Sequence, residues 1–217
     1  MGGPTAGRAV TDWPHVFRPG TGVAVLALHG TGGSESEIAA LAASIAPRAA
    51  ILAPRGRVSE SGAGRWFRRA SEGVFDVDDV VYRADELAGF LERATTEYGL
   101  GGLPVVATGF SNGANMALAL GMLHPRVAPS IVAFSGMYPF GERTLSGDLS
   151  ASRFLLLNGT DDPMAPQASV ETLADDLAAG GADLTRLSRR GGHGVLADEL
   201  AAARDWIGGI EPASPRA

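Results

Sequence analysis

The sequence predicts an α/β fold with a mostly parallel central sheet and helices on both faces. Apolar runs with the length of strands alternate with longer amphipathic runs along most of the 217 residues. Strands that are apolar throughout are typical of parallel sheets covered on both faces. No repeat or separate lid insertion interrupts the alternation, so we expect one domain over residues 10–210 between flexible termini at 1–9 and 211–217.

Most predicted strands are short apolar runs, and the predicted helices repeat apolar residues at three- and four-residue steps. Ser34 and Glu37 fit a capping box at the start of the first helix. The predicted strands are His15–Arg18, Val23–Leu28, Ala50–Ala53, Val105–Phe110, Ser130–Phe134, Phe154–Leu157 and Leu184–Ser188. The predicted helices are Glu35–Ile45, Asp78–Tyr98, Asn112–Leu123, Gln167–Ala179 and Leu196–Ile207.

Composition and charge narrow the classes of function. The net charge of −6, from 18 basic and 24 acidic residues, argues against nucleic acid or an anionic membrane as partner. The sequence has no cysteine, which excludes disulfides, thiolate catalysis and cysteine-ligated metals. Residues 1–8 lack the apolar core of a signal peptide, and no stretch approaches the ~20 apolar residues of a membrane span. We therefore expect a cytoplasmic protein.

The segment Gly109–Gly113, with the sequence Gly-Phe-Ser-Asn-Gly, lies between a predicted strand and a predicted helix. A G-x-S-x-G segment in that position is typical of a nucleophile elbow, a tight turn that presents the serine hydroxyl above the sheet edge. Side chains two residues before and after the serine would clash in such a turn, and glycine removes the clash. The pattern predicts Ser111 as a nucleophile that attacks acyl groups.

A serine hydroxyl needs an adjacent base, and His193 is the predicted one. It lies within Gly191–Gly194, after the last predicted strand, so its loop should emerge at the same sheet edge as Ser111. Two other histidines have different expected roles. His124 ends a predicted helix and suits the helix dipole, whereas His29 is expected to hold its own loop by hydrogen bonds.

The acid that orients the histidine is expected directly after the strand that ends near Leu157. Asp161 and Asp162 both follow that strand, and spacing alone does not separate them. We prefer Asp162, since Pro163 favours an extended conformation for the residue before it. The resulting order of serine, aspartate and histidine is the one that accompanies a nucleophile elbow.

Two backbone amides are expected to stabilise the oxyanion of a tetrahedral intermediate. One is the amide of Asn112, next to the nucleophile, and the other is the amide of Thr31, in the turn after the first core strand. That turn, Gly30–Gly33, fits a dinucleotide-binding motif poorly, because Glu35 stands where the third glycine would be.

The segment 55–73 is predicted as a long irregular connection at the ligand-binding edge of the sheet. In one interpretation, Trp66 and Phe67 wall an acyl pocket, with Met164 as a further substrate contact, and the arginines meet a carboxylate or phenolate of the substrate. In the other interpretation, the rings anchor the loop and the arginines pair with nearby carboxylates. Those carboxylates are Glu72, Asp76, Asp78 and Asp79.

With these residues in place, the sequence resembles the α/β-hydrolase superfamily from about Val23 to Ile207, and more closely the phospholipase/carboxylesterase family of small bacterial esterases. The segment from Pro54 to Asp76 is similar to the branch of that family associated with hydroquinone resistance. The motifs that carry the resemblance are Leu28–Gly33, Gly109–Ala114, Asn158–Pro163 and Gly191–Gly194.

The resemblance implies a serine carboxylesterase for small short-acyl or aromatic esters, acting through an acyl-serine intermediate without metal or organic cofactor. It also implies a small-molecule substrate, a site without a lid, and an assembly that is often a homodimer. Two positions depart from the family pattern. Asn158 replaces the usual histidine, and Met164 stands where a branched aliphatic residue is common, so both could reshape the pocket.

Two further classes of function remain open. A thioesterase, a lysophospholipase or a C–C hydrolase of ring-cleavage products would use the same triad on a different bond. A non-catalytic protein could instead bind small molecules on a hydrolase scaffold. Such proteins usually lack a member of the triad, whereas this sequence has a candidate for each one.

Overall fold

The computed structural model of the protein describes residues 12–145 and 147–210. The flexible termini that the sequence predicts at 1–9 and 211–217 lie outside those residues. The strands are β1 (His15–Arg18), β2 (Ala24–Leu28), β3 (Ala50–Pro54), β4 (Val58–Glu60), β5 (Ala63–Arg65), β6 (Arg69–Ser71), β7 (Val74–Phe75), β8 (Val105–Phe110), β9 (Ser130–Phe134), β10 (Arg153–Gly159) and β11 (Asp183–Arg189). The helices are α1 (Glu35–Ile45), α2 (Val77–Glu97), α3 (Asn112–Leu123), α4 (Gln167–Ala179) and α5 (Ala197–Gly208).

Over the described residues, the main sheet has seven strands in the order β1-β3-β2-β8-β9-β10-β11. Neighbouring strands from β3 to β11 run parallel, and β1 pairs antiparallel with β3 at one edge. This arrangement confirms the mostly parallel sheet. Since parallel strands end at one edge, the loops after β2, β8, β10 and β11 gather there.

Helices cover both faces of the sheet, as predicted. On one face, Ile38 of α1 and Ile207 of α5 belong to one apolar core with the inward side chains of the strands. On the other face, Leu87, Leu120 and Leu173, from α2, α3 and α4, belong to a second core. None of the helices in the described part of the chain is long and apolar enough to span a bilayer.

Side chains cap the amino-terminal turns of α1 and α2. The Ser34 hydroxyl accepts a hydrogen bond from the Glu37 amide at 3.3 Å, and the Glu37 carboxylate accepts one from the Ser34 amide at 2.9 Å. This is the predicted capping box of α1. At the start of α2, the Asp76 carboxylate accepts a hydrogen bond from the Asp79 amide at 3.1 Å.

The segment 55–73 is not irregular, which corrects the prediction. It contributes one hairpin, β4–β5, and most of a second, β6–β7. Ser61 and Gly62 join β4 to β5 with φ values of 51° and 84°, the pattern of a type I′ turn that suits a two-residue hairpin. The Ser-Gly pair between short runs was the available signal for that turn.

Two glycines allow the backbone at the end of β8 to approach its neighbours closely. A Cβ at Gly109 would overlap the backbone of Gly113, four residues later in the same turn. A Cβ at Gly113 would overlap the carbonyl oxygens of Leu28 and His29, at the end of β2. The first turn of α3 therefore lies directly against the end of β2, in a position that only glycine permits.

We expect Gly113→Ala to lower the free energy of unfolding by about 3 kcal/mol, because backbone rather than a flexible side chain would have to move. Urea denaturation followed by circular dichroism measures this change. Gly101→Ala is the matched control, since a Cβ at Gly101 meets no atom within 4 Å. Equal midpoints for the two variants would contradict the close approach.

Candidate active site

Ser111 sits at the turn between β8 and α3 with φ 55° and ψ −120°. Positive φ is uncommon for a residue with a side chain, so the surrounding structure must hold it there. Its amide donates to the carbonyl of Phe134 at 3.0 Å, and its carbonyl accepts from the amide of Asn115 at 3.0 Å. The strand, turn and helix have the form of a nucleophile elbow.

Asp162 and His193 are in direct contact. The imidazole Nδ1 lies 2.7 Å from Oδ2 of Asp162, whose side chain is fully buried. The other carboxylate oxygen accepts hydrogen bonds from the amides of Met164 at 2.8 Å and Ala165 at 3.3 Å. These bonds fix the orientation of the carboxylate beside the imidazole.

Asp161, Ser135 and Arg189 hold the loop that carries the histidine through side-chain hydrogen bonds to its backbone. Asp161 accepts a hydrogen bond from the amide of Gly191 at 3.1 Å, so it supports the loop rather than the ring. Ser135, at φ 51°, donates from its hydroxyl to the carbonyl of Gly194 at 3.1 Å. Sequence reasoning missed Ser135, although a serine directly after β9 was visible at the same sheet edge.

The second imidazole nitrogen is free to accept a proton. With Nδ1–H directed at the carboxylate, Nε2 of His193 carries the lone pair. Nε2 is buried and has no hydrogen-bond partner within 12–145 and 147–210, the Ser111 hydroxyl included. The ring centroid lies 4.9 Å from that of Phe110, the residue before Ser111. Catalytic hydrogen bonds are often open in an apo site and tighten when substrate binds.

The two amides predicted for the oxyanion are also unpaired. Neither Thr31 nor Asn112 donates a backbone hydrogen bond to any residue that the structure describes. Asn112 is the first residue of α3, so its amide has no partner within the helix. Both residues border the same pocket as Ser111. An anionic oxygen in that pocket is therefore the kind of ligand that these amides suit.

His29 and Trp66 connect the turn after β2 to the elbow. Nε2 of His29 accepts from the amide of Gly56 at 2.9 Å, and Nδ1 donates to the carbonyl of Gly30 at 2.8 Å. The indole of Trp66 donates to the carbonyl of His29 at 2.8 Å. The Trp66 amide donates to the side-chain oxygen of Asn112, also at 2.8 Å.

Trp66 and Phe67 do not wall an acyl pocket, which corrects the first interpretation of this segment. They are 2% and 0% exposed, belong to the apolar core, and do not line the pocket that contains Ser111. The Phe67 ring instead packs against Phe75 at 5.1 Å between centroids. The rings are anchors, as the second interpretation expected. Met164, at 42% exposed, does line the pocket.

Arg68 pairs with acidic residues at the start of α2. Its guanidinium lies 2.9 Å from the carboxylate of Asp76 and 3.1 Å from that of Asp79, two of the expected partners. The interaction with Asp76 raises the pKa of Arg68. The hydrogen bond from the Asp79 amide, and after it the one from Arg68, lowers the pKa of the Asp76 carboxyl. Asp78, also expected as a partner, pairs with Arg143 instead at 2.8 Å.

Arg65 and Arg69 share one carboxylate and face the Ser111 pocket. Glu60, which is not among the four carboxylates expected from the sequence, lies 3.2 Å from Arg65 and 3.1 Å from Arg69, and Arg69 also pairs with Glu72. The hydrogen bond from Arg69 lowers the pKa of the Glu60 carboxyl. Burial lowers the pKa of Arg65, and the positive charge of Arg69 lowers it further.

Two spaces adjoin the elbow. The serine pocket has a volume of about 120 Å³. Residues that line it include Arg65, Arg69, Ser111, Asn112, Asn115 and Met164. The apolar groove has a volume of about 240 Å³ and also borders Thr31. Residues that line it include Gly30, Ile38, Leu41, Phe110 and Val195. A larger cavity of about 390 Å³ lies at the amino ends of β2 and β3, and none of the predicted site residues lines it.

Comparison with known proteins identifies the family. A family model described as phospholipase/carboxylesterase matches residues 19–209. The chain belongs to this family. The resemblance inferred from the motifs is thereby confirmed, together with the single-domain α/β-hydrolase fold and a hydrolase function of the carboxylesterase kind.

Similar proteins cover nearly the whole domain. The chain is 35% identical to MhqD of Bacillus subtilis (strain 168) over 193 residues, which are 88% of this chain and 96% of MhqD. A carboxylesterase structure from Bacillus cereus aligns with a TM-score of 0.86 at 34% identity, over 90% of this chain and 93% of that one. The structure of YahD with malic acid aligns with a TM-score of 0.84 at 29% identity, over 90% of this chain and 98% of that one.

We expect Asp162→Asn to reduce kcat for short 4-nitrophenyl esters by roughly 10⁴-fold, because an amide favours the wrong imidazole tautomer. Steady-state kinetics measure the loss. Asp161→Asn is the matched control, since its side-chain oxygen can still accept the hydrogen bond from Gly191. A larger loss in Asp161→Asn than in Asp162→Asn would reverse the assignment of the acid.

Proposed function

We propose that the protein is a serine carboxylesterase that hydrolyses small esters through an acyl-serine intermediate. In this proposal, Ser111 is the nucleophile, His193 is the general base and acid, and Asp162 orients the imidazole. The observation that carries the proposal is the buried 2.7 Å contact between Asp162 and the imidazole, at the sheet edge where the elbow presents its serine. A serine hydroxyl attacks an ester only with such a base at hand.

In the first half of the reaction, the Ser111 hydroxyl attacks the ester carbonyl and passes its proton to Nε2 of His193. The carbonyl oxygen becomes an oxyanion, and the unpaired amides of Thr31 and Asn112 are the donors available to it. The buried carboxylate of Asp162 stabilises the imidazolium without taking its proton. The imidazolium then protonates the leaving alcohol, and the acyl group stays on the serine.

In the second half, water takes the place of the alcohol. His193 accepts a proton from the water as it attacks the acyl carbon, and the same amides are available to the second oxyanion. Protonation of the Ser111 oxygen then releases the carboxylic acid. Each step uses groups of this chain and one water molecule.

The size of the serine pocket supports a short acyl group. Its volume of about 120 Å³ is well below the ~300–1,000 Å³ of sites that enclose drug-sized ligands. A fatty acyl chain, as a lysophospholipase requires, exceeds that space. The proposal is therefore a carboxylesterase for short acyl groups rather than a lipid hydrolase.

We expect Ser111→Ala to lower kcat for 4-nitrophenyl butyrate by at least roughly 10⁴-fold, because no other group forms the acyl intermediate. We also expect a fluorophosphonate probe to label the wild type once, at Ser111, as read by peptide mass spectrometry. Ser150→Ala, at an exposed loop position, is the control and should keep the label and the activity. Unreduced hydrolysis by Ser111→Ala would disprove the mechanism, and a folded wild type that takes no label would favour a binding protein.

A further inference from the structure

The serine pocket, which contains Ser111, and the apolar groove, which borders Phe110, differ in chemistry. The apolar groove is bordered by the side chains of Ile38, Leu41, Phe110 and Val195. The serine pocket is bordered instead by guanidinium and amide groups and by the Glu72 carboxylate, with Met164 and Phe75 as its apolar side chains. A substrate that fills both must therefore be apolar at one end and polar at the other. The following inference rests on the proposed function, because that function decides which end is the acyl group.

The position of His193 assigns the two ends. The leaving alcohol takes its proton from the imidazole, so the alcohol must lie on the His193 side of the serine. Phe110, whose ring contacts the imidazole, and Val195, two residues after it, both line the apolar groove. No described residue of the segment 191–195 lines the serine pocket. The alcohol therefore belongs in the groove and the acyl group in the serine pocket.

Two buried asparagines, Asn112 and Asn115, line this acyl side. The side-chain oxygen of Asn115 accepts from the amide of Met137 at 2.8 Å, and that of Asn112 accepts from the amide of Trp66 at 2.8 Å. Because a backbone amide can only donate, these contacts identify which side-chain atom is the oxygen. The NH₂ group of each asparagine therefore remains available as a donor. In the described part of the chain, neither NH₂ group has an acceptor, and that of Asn112 is buried.

Arg65 adds a charged donor at the same wall. It is 3% exposed, and its hydrogen bonds use Nε, to the carbonyl of Phe67, and Nη1, to Thr31 and Glu60. Its Nη2 makes no hydrogen bond to any residue in 12–145 or 147–210. A buried guanidinium with an unused N–H group is a strong site for an oxygen anion.

The charges of the lining favour an anion as well. Two guanidinium groups, those of Arg65 and Arg69, border the serine pocket, against the single carboxylate of Glu72. The Glu72 side chain is 60% exposed, so water screens its charge more than it screens the buried Arg65. The opposing carboxylate of Glu60 is not among the groups that border the pocket.

We propose that the acyl group of the substrate carries its own carboxylate, so that the substrate class is half-esters of short dicarboxylic acids with an apolar alcohol. The free carboxylate accepts hydrogen bonds from Arg65 and Asn115 in the serine pocket while the ester carbonyl meets Ser111. Hydrolysis breaks the acyl C–O bond, adds the oxygen of water to the acyl carbon and a proton to the alcohol. The products are the alcohol, a dicarboxylate and the second proton of the water, which the new carboxyl group releases.

Esters with the same alcohol test this directly. Benzyl hydrogen succinate and benzyl butyrate both have four-carbon acyl groups, and only the succinate is charged. We expect kcat/KM for the succinate to exceed that for the butyrate by about tenfold or more, as charge-assisted hydrogen bonds allow. Benzyl methyl succinate, whose carboxylate is capped, should lose this advantage. Chromatography of released benzyl alcohol measures all three rates.

Asn115→Asp tests the pocket itself. The variant keeps an oxygen that can accept from the amide of Met137, and it replaces the NH₂ donor by a negatively charged oxygen. We expect the ratio of kcat/KM for the succinate to kcat/KM for the butyrate to fall at least tenfold. Arg143→Met is the charge control, because this partly exposed arginine pairs with exposed Asp78 and does not line the pocket. Its ratio should equal that of the wild type.

The outcomes separate this inference from the proposed function. If the wild type hydrolyses butyrate as fast as succinate, or capping has no effect, the inference is wrong and the serine esterase stands. The inference is also wrong if a folded Asn115→Asp keeps the wild-type ratio. Because the capped ester needs no variant, a misfolded Asn115→Asp leaves the test intact. If Ser111→Ala hydrolyses the benzyl esters at the wild-type rate, the proposed function itself is wrong.

Discussion

The contact between the first turn of α3 and the end of β2 is the constraint on which the site depends. Gly113 lies so close to the carbonyls of Leu28 and His29 that no side chain fits between them. This approach places the turn that carries Thr31 beside the start of α3, where the Asn112 amide has no partner among the residues that the structure describes. The two amides come from parts of the chain about 80 residues apart, so packing at one glycine positions both.

The hairpin segment, residues 55–75, supports the elbow and the turn after β2 through hydrogen bonds from Trp66. Trp66 is buried and holds the carbonyl of His29 with its indole and the side chain of Asn112 with its amide. The hydrogen bond from the Trp66 amide occupies the side-chain oxygen of Asn112, so the NH₂ group of Asn112 is the part of the side chain without a partner among the described residues. The hydrogen bond itself has a plain physical reason, since the buried backbone amide of Trp66 must find an acceptor.

Local sequence patterns predict much of the fold. The apolar runs and helical periods located the strands of the main sheet and the helices to within one or two residues. The sequence predicts the nucleophile elbow because its two glycines lie within one five-residue segment, Gly109–Gly113. The two hairpins in 55–75 were missed, because strands of two or three residues carry almost no periodicity. The sequence does not decide between the two roles of Trp66 and Phe67, since an aromatic residue suits a core and a pocket equally.

The sequence by itself determined the fold class, the elbow with its serine, and the aspartates and histidine that follow strands in a fixed order. These features are local, so the residue types and their neighbours specify them. Only the tertiary structure decided that Asp162 rather than Asp161 meets His193, that Glu60 holds Arg65 and Arg69, and that Asn115 faces the serine pocket. Such choices depend on contacts between distant segments, and the direction of one side chain in a packed core has no signature in its neighbours along the chain.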